Sequence, residues 1–135
     1  MANTEPSRDF SAVQSQLESF VAKRQSLVLA THDVHGECEL GVAPFVFVDG
    51  VFALILSQLA AHTRHLQREP RAQLMLLEDE TETHQPYARL RMSVRCDAMR
   101  LEREDVRSDV FFAQMQAHFG SIVPLLRGLN DFNVF

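Results

Sequence analysis

The stretch SQLAAHTRHLQREPRAQLML, Ser57 to Leu76, follows directly on the unbroken apolar run VFALIL, Val51 to Leu56. It reads as the end of one strand, a short helix opening around His62-Thr63-Arg64-His65, and the start of another strand at Arg71. Pro70 stops the helix, because a residue before proline is steered out of the helical region. The helix start allows two readings. Its unpaired backbone N–H groups and partial positive charge, with Thr63 and Arg64 beside them, suit an anion such as a phosphate. Ser57 or Thr63 also suits an ordinary helix cap.

Working outward, the pattern on both sides is of β type. Ser26 to His32 (SLVLATH) and Glu37 to Val48 (ECELGVAPFVFV) flank a turn at Asp33-Val34-His35-Gly36, and Pro44 marks a bulge or an edge. Asp49-Gly50 is a tight hairpin signal. VFALIL does not alternate, so both of its faces should be covered, by a helix, by the far wall of a barrel or by a second subunit. RAQLMLL, Arg71 to Leu77, is the next strand, and EDETETHQP, Glu78 to Pro86, reads as a solvated acidic loop. From Tyr87 to Ala98 the alternation is clean: Ala88, Leu90, Met92, Val94, Cys96 and Ala98 on one face, Tyr87, Arg89, Arg91, Ser93, Arg95 and Asp97 on the other.

Helices bracket these strands. Ser7 can cap a first helix, with Asp9 in its opening turn, that buries a stripe of Phe10, Val13, Leu17, Phe20 and Val21. A second long helix is expected from about Arg103 to Phe119, stopped by Gly120. Pro124 to Arg127 adds a helical turn, and Asp131 to Phe135 starts a last strand. Five strands in hairpin order and a sixth at the end predict an α+β domain around a small barrel or curled sheet. Residues 1–24 would form the N-terminal helix of a single domain whose barrel spans 25–135.

Composition narrows function. A formal net charge of −5 without a basic stripe argues against nucleic-acid binding. No apolar stretch is long enough to span a bilayer, and the N-terminus has no leader-like apolar segment, so the expectation is a cytoplasmic protein with no membrane partner. Cys38 and Cys96, far apart, read as reduced thiols. His32, His35 and Cys38 have ligand-like spacing but lack a fourth donor nearby, so no metal site is expected. There is no Gly-rich phosphate loop and no nucleophile elbow.

One combination is more specific. APFV at Ala43 to Val46, S-x-L-A-x-H-T-R-x-L at Ser57 to Leu66, the Glu-Pro that follows, E-D-E at Glu78 to Glu80 and Y-A-R-L-R at Tyr87 to Arg91 resemble the haem-utilisation branch of the pyridoxamine-phosphate-oxidase-like, FMN-binding split-barrel superfamily. The resemblance covers roughly 25–135. It implies a six-stranded antiparallel split β-barrel with flanking helices that forms a homodimer, with ligand sites in clefts between subunits. It also implies a cofactor site of Ser57, Thr63, Arg64, Arg89 and Arg91, where Arg64 and Arg91 meet a phosphate. Haem-handling members are similar but use a histidine near the C-terminus as iron ligand. Asn133 stands in its place here, so His62 or His118 would have to take that role. The resulting expectation is an FMN-binding flavoprotein, a candidate oxidoreductase on an unidentified small substrate. The alternatives are a haem-binding or haem-utilisation protein and a non-catalytic dimeric relic.

Overall fold

The computed structural model describes residues 10–135; the expected cap at Ser7 and the first-turn position of Asp9 lie outside them. Helix α1 (Phe10–Ala22) leads into strands β1 (Ser26–His32), β2 (Cys38–Pro44), β3 (Val46–Val48), β4 (Val51–Ala53) and β5 (Ile55–Ser57). Then come α2 (Ala61–Arg68), β6 (Arg71–Leu77), β7 (Arg91–Asp97), α3 (Val106–Phe119), α4 (Ile122–Arg127) and β8 (Phe132–Val134). The acidic connection between β6 and β7 holds two single-turn 3-10 helices, Glu80–Glu82 and Pro86–Ala88.

Both expected hairpins form, each for a local reason. Asp49 and Gly50 take φ of 51° and 79°, the left-handed pair that a two-residue turn requires, and Val48 lies opposite Val51. Between β1 and β2 the Asp33 carboxylate accepts the N–H groups of His35 at 2.8 Å and Glu37 at 2.9 Å, placing His32 opposite Cys38. The hydrogen bond from the Glu37 amide is the main cause that lowers the Asp33 pKa from its usual value.

The sheets are antiparallel, in the order β2-β1-β6-β7 with two separate ribbons, β3-β4 and β5-β8. This is an α+β fold, but the described residues form eight strand segments and no closed barrel, where six strands and a barrel are expected from the sequence. Two breaks account for the difference. Phe45 interrupts the run from Cys38 to Val48, its N–H reaching the carbonyl of Gln25 at 3.1 Å. Leu54 interrupts VFALIL, exchanging both backbone hydrogen bonds with Phe135 at 2.9 and 2.8 Å, so that β4 pairs with β3 and β5 with β8.

Neither face of VFALIL needs a second subunit to cover it. Leu54 and Leu56 face a core of Leu27, Leu29, Leu74 and Leu76. Ala53 and Ile55 face a second core built with Phe112, Met115 and Val123 of α3 and α4. Helices therefore cover one face and the opposite sheet the other, and the non-alternating pattern is a single-chain property.

Helix α1 departs from expectation. Only Val21 is buried, with Phe20 packed partly behind it, while Phe10, Val13 and Leu17 stay exposed. Among the described residues the stripe is only partly covered: Val13, Leu17 and Phe20 border a small cleft with Leu90 and Met92.

Helix α3 starts at Val106, later than the expected Arg103, because Asp105 takes the cap position and accepts the Arg107 N–H at 2.9 Å. Gly120 ends it with φ of 77°. The Arg107 guanidinium and amide hold the Asp105 carboxyl down from 3.8 to about 2. Because the folded-state pKa is the lower one, this contribution is complete above the unfolded value and is lost as pH falls towards about 2. Thermal unfolding of Asp105→Asn across that acid range is expected to show a shallower pH dependence than the parent chain.

Candidate functional site

Opposite residues in an antiparallel ladder point to the same side, so the register sorts the four-stranded sheet into two faces. The inner face carries Leu27, Leu29, Leu74 and Leu76, with Val94 and Cys96 from β7, as its alternation predicts. On the outer face Val28 lies opposite both Val42 and Met75, and Ala30 opposite Leu40 and Gln73. The same face continues to β7, where Arg95 lies opposite Gln73 and Arg91 opposite Leu77. Leu40 and Val42 are 72% and 68% exposed. An uncovered apolar band thus runs into exposed guanidinium groups over roughly 14 Å, three strand spacings.

One end of this face is walled. Val28, Val42, Met75 and Leu77 floor an open groove of about 620 Å³. Arg24 donates to the Leu77 carbonyl at 3.0 Å, approaches Glu82 at 3.6 Å and stacks 5.0 Å from the Phe20 ring. Arg89 donates to the Glu78 carbonyl at 2.8 Å and lies 3.6 Å from Glu80. The acidic loop is therefore not merely solvated, because its carbonyls and carboxylates hold the two arginines at the groove. Arg91, exposed, donates to the Arg89 carbonyl at 3.3 Å.

The corner at the start of α2 is built differently from either reading of its sequence. Ala60 is the cap residue and makes no side-chain cap bond. The Ser57 hydroxyl accepts the Leu59 N–H at 3.2 Å and donates to the Asp131 carboxylate at 3.2 Å, closing a turn against a negative charge. Thr63 is wholly buried and its Oγ1 has no hydrogen-bond partner. Arg64 reaches the surface, where it donates to the Leu59 carbonyl at 2.9 Å and lines a small cleft with His32, Arg68 and Glu69. Of the five site residues read from the sequence, a single chain brings together Arg89 and Arg91; Ser57, Thr63 and Arg64 diverge.

A buried hydroxyl without a partner costs free energy, so Thr63→Val is expected to raise stability by about 1 kcal/mol in chemical denaturation. A loss of similar size would mean that the hydroxyl is engaged.

Sequence reasoning missed how α2 docks. The His62 ring lies on Gly41 of β2, where an added Cβ would come 2.6 Å from Nδ1, so only glycine permits this approach. Burial lowers the His62 pKa from its usual value, with the His65 charge adding to that and Glu39 opposing it. His65 Nδ1 pairs with the Thr31 hydroxyl at 3.0 Å. These two histidines pin the helix to the sheet. His118 is exposed on α3.

Among the described residues no group of three His, Cys, Asp or Glu side chains could hold a metal. Both cysteines are free; burial pushes the Cys96 thiol pKa up. Asn133 is 4% exposed and opposite Leu56, its side-chain oxygen accepting from Arg100 at 3.2 Å. Its Nδ2 is buried without a hydrogen-bond partner.

Residues 13–135 match the pyridoxamine 5'-phosphate oxidase family. Over 123 residues, 91% of this chain, the sequence is 34% identical to the haem oxygenase HutZ of Vibrio cholerae, 70% of whose length the match covers. A crystal structure of HutZ, described as a haem storage protein, superposes with a TM-score of 0.85 over 90% of this chain and 85% of that one. ChuZ of Campylobacter jejuni is 27% identical, with a TM-score of 0.84 over 94% of this chain and 52% of its own.

These findings overturn FMN as the expected cofactor and flavoprotein oxidoreductase as the expected function, because the 34% identical relative is a haem protein. The error came from Asn133. Asn133 is buried in the β5-β8 ribbon, and the lack of a histidine there does not by itself decide between FMN and haem. The chain belongs to the pyridoxamine 5'-phosphate oxidase family, and within it to the haem-utilisation branch.

Proposed function

We propose that the chain is a haem-binding protein of haem utilisation that acts as a homodimer, with haem held against the outer face of the four-stranded sheet. The observation that carries this reading is the uncovered apolar band running into arginines on one sheet face. Haem is a flat apolar ring with two carboxylates along one edge, and this face has the complementary layout. Val28, Val42 and Met75 would contact the ring, and Arg91 and Arg95 would take the carboxylates, with Arg89 close behind. Bound haem supplies iron and its redox chemistry; the chain supplies an apolar floor, orientation through guanidinium pairs and exclusion of water.

Leu40 and Val42 are too exposed to belong to a face that stays open in water, and a stable pairing of two copies needs about 800 Å² from each. Arg64 is the corner side chain that reaches the surface, and it is the candidate contribution from the second copy. Ser57 and Thr63 serve the scaffold. No helix among the described residues is long and apolar enough to cross a membrane. The reading takes the cytoplasm as the site of action, with haem as the small-molecule partner and neither nucleic acid nor membrane involved.

The test is a haemin titration followed by absorption and sedimentation, with FMN as the comparison ligand. Saturable growth of a Soret band on a dimer, with no uptake of FMN, supports the reading; no spectral change with haemin overturns it. Arg91→Ala with Arg95→Ala is expected to weaken haemin binding by about tenfold or more, the loss of charge-assisted bonds worth about 1.5 to 3 kcal/mol before solvent screening.

A further inference from the structure

We propose, on the haem reading given above, that Met75 supplies its thioether sulfur to the haem iron as the axial ligand from the sheet side.

The strand register sets the position. On β7 the two residues assigned to the haem carboxylates, Arg91 and Arg95, stand two places to either side of Ser93. Ser93 is opposite Met75, Met75 opposite Val28, and Val28 opposite Val42. These four side chains form a row that crosses the outer face at right angles to the strands, midway between the two arginines. The two carboxylates of haem lie symmetrically about an axis through the iron, so holding one at Arg91 and the other at Arg95 lays that axis along the row. Met75 is one strand in from β7 and Val28 is two, about 5 and 10 Å. The row therefore offers the ring one hydroxyl, two valines and one thioether, and the thioether is the group that ligates haem iron.

Residue type points the same way. Strands favour branched residues, and an apolar floor alone is met by them, as at Val28 and Val42. Met75 is unbranched, with a soft sulfur on three rotatable bonds that can adjust to a ring lying over it. It is half-buried and lines the outer groove.

Among the described residues, two other side chains on this face of the sheet carry a nitrogen or sulfur suited to iron. His32 and Cys38 lie opposite each other, four residues along β1 and β2 from Val28 and Val42, about 13 Å away. That is past the edge of a ring centred on the row. The His32 ring also lines the cleft with Arg64, His65 and Arg68, its Nδ1 donating to the Asp33 carbonyl at 3.1 Å.

The test is iron X-ray absorption of the 135-residue protein loaded with haemin and reduced, beside Met75→Leu. Leucine nearly keeps the volume of methionine, so the floor is retained while the sulfur is removed. The expected result is a sulfur neighbour of iron in the parent protein and none in Met75→Leu, with haemin still taken up. The midpoint potential should fall in Met75→Leu, since a thioether ligand raises it. In protein grown on selenomethionine the neighbour should become selenium, a reading that requires no variant to fold and separates Met75 from Cys38. A sulfur neighbour that persists in Met75→Leu or in the selenomethionine protein would overturn the proposal. So would a haemin-loaded parent with no sulfur neighbour, which would leave the haem assignment standing. A parent that takes up no haemin would overturn both.

Discussion

Val42→Glu is expected to give a folded monomer that no longer takes up haemin. Val42 is 68% exposed and sits between Val28 and the open edge of the sheet, so a carboxylate there is solvated in the isolated chain and should change stability by no more than about 0.5 kcal/mol. In a dimer with haem against the same face, that carboxylate would be buried without a partner, at a cost of about 3 to 5 kcal/mol. Sedimentation gives the assembly state and the Soret band gives the uptake. A Val42→Glu protein that stays dimeric and binds haemin normally would remove the outer face from both roles.

Met75 and Leu76 are neighbours on β6 that serve opposite faces, and truncating each should have opposite consequences. Leu76 is wholly buried in the core with Leu27, Leu29 and Leu74, so Leu76→Ala is expected to cost about 2 to 5 kcal/mol of stability. The spread reflects how far the surrounding leucines can relax into the space. Met75→Ala is expected to cost about 1 kcal/mol or less in stability but to weaken haemin binding, because its side chain floors the outer groove. Urea unfolding and haemin titration of the two variants together check the assignment of faces. Interchanged effects would show that the strand register is wrong.

Those two faces were legible in the sequence where each residue's surroundings follow from its own strand. The alternation from Arg91 to Asp97 and the turn at Asp49-Gly50 are local properties, set by pleat and by the sign of φ. The break at Phe45 was announced by Pro44 before it, whereas the break at Leu54 was not legible, because its partner, Phe135, is distant in sequence and nothing near Leu54 announces the contact. The burial of α1 failed for a related reason: spacing shows that a stripe exists, but not what covers it.

The corner residues show where pattern reading stopped short. Thr63 lies three positions before Leu66, which puts both on the buried side of α2; that spacing was visible and marked Thr63 as interior. The fit of His62 against Gly41 could not be found from spacing, since it depends on how closely helix and sheet approach. The outer band was present as Leu40 and Val42 two apart on one strand and Val28 and Ala30 on the next, an alternation obscured by the apolar residues of the inner face. Choosing between a flavin and haem was beyond the arginines, which would pair equally well with a phosphate or with haem carboxylates.

The most direct measurement is methyl NMR of the protein with gallium protoporphyrin IX, a diamagnetic stand-in for haem. The ring current of a porphyrin lying on the outer face should displace the methyl signals of Val28, Val42 and Met75 while leaving those of Leu29, Leu74 and Leu76 close to their positions in the free protein. Large displacements confined to the inner set, or none at Val42 and Met75 under saturation, would contradict the account.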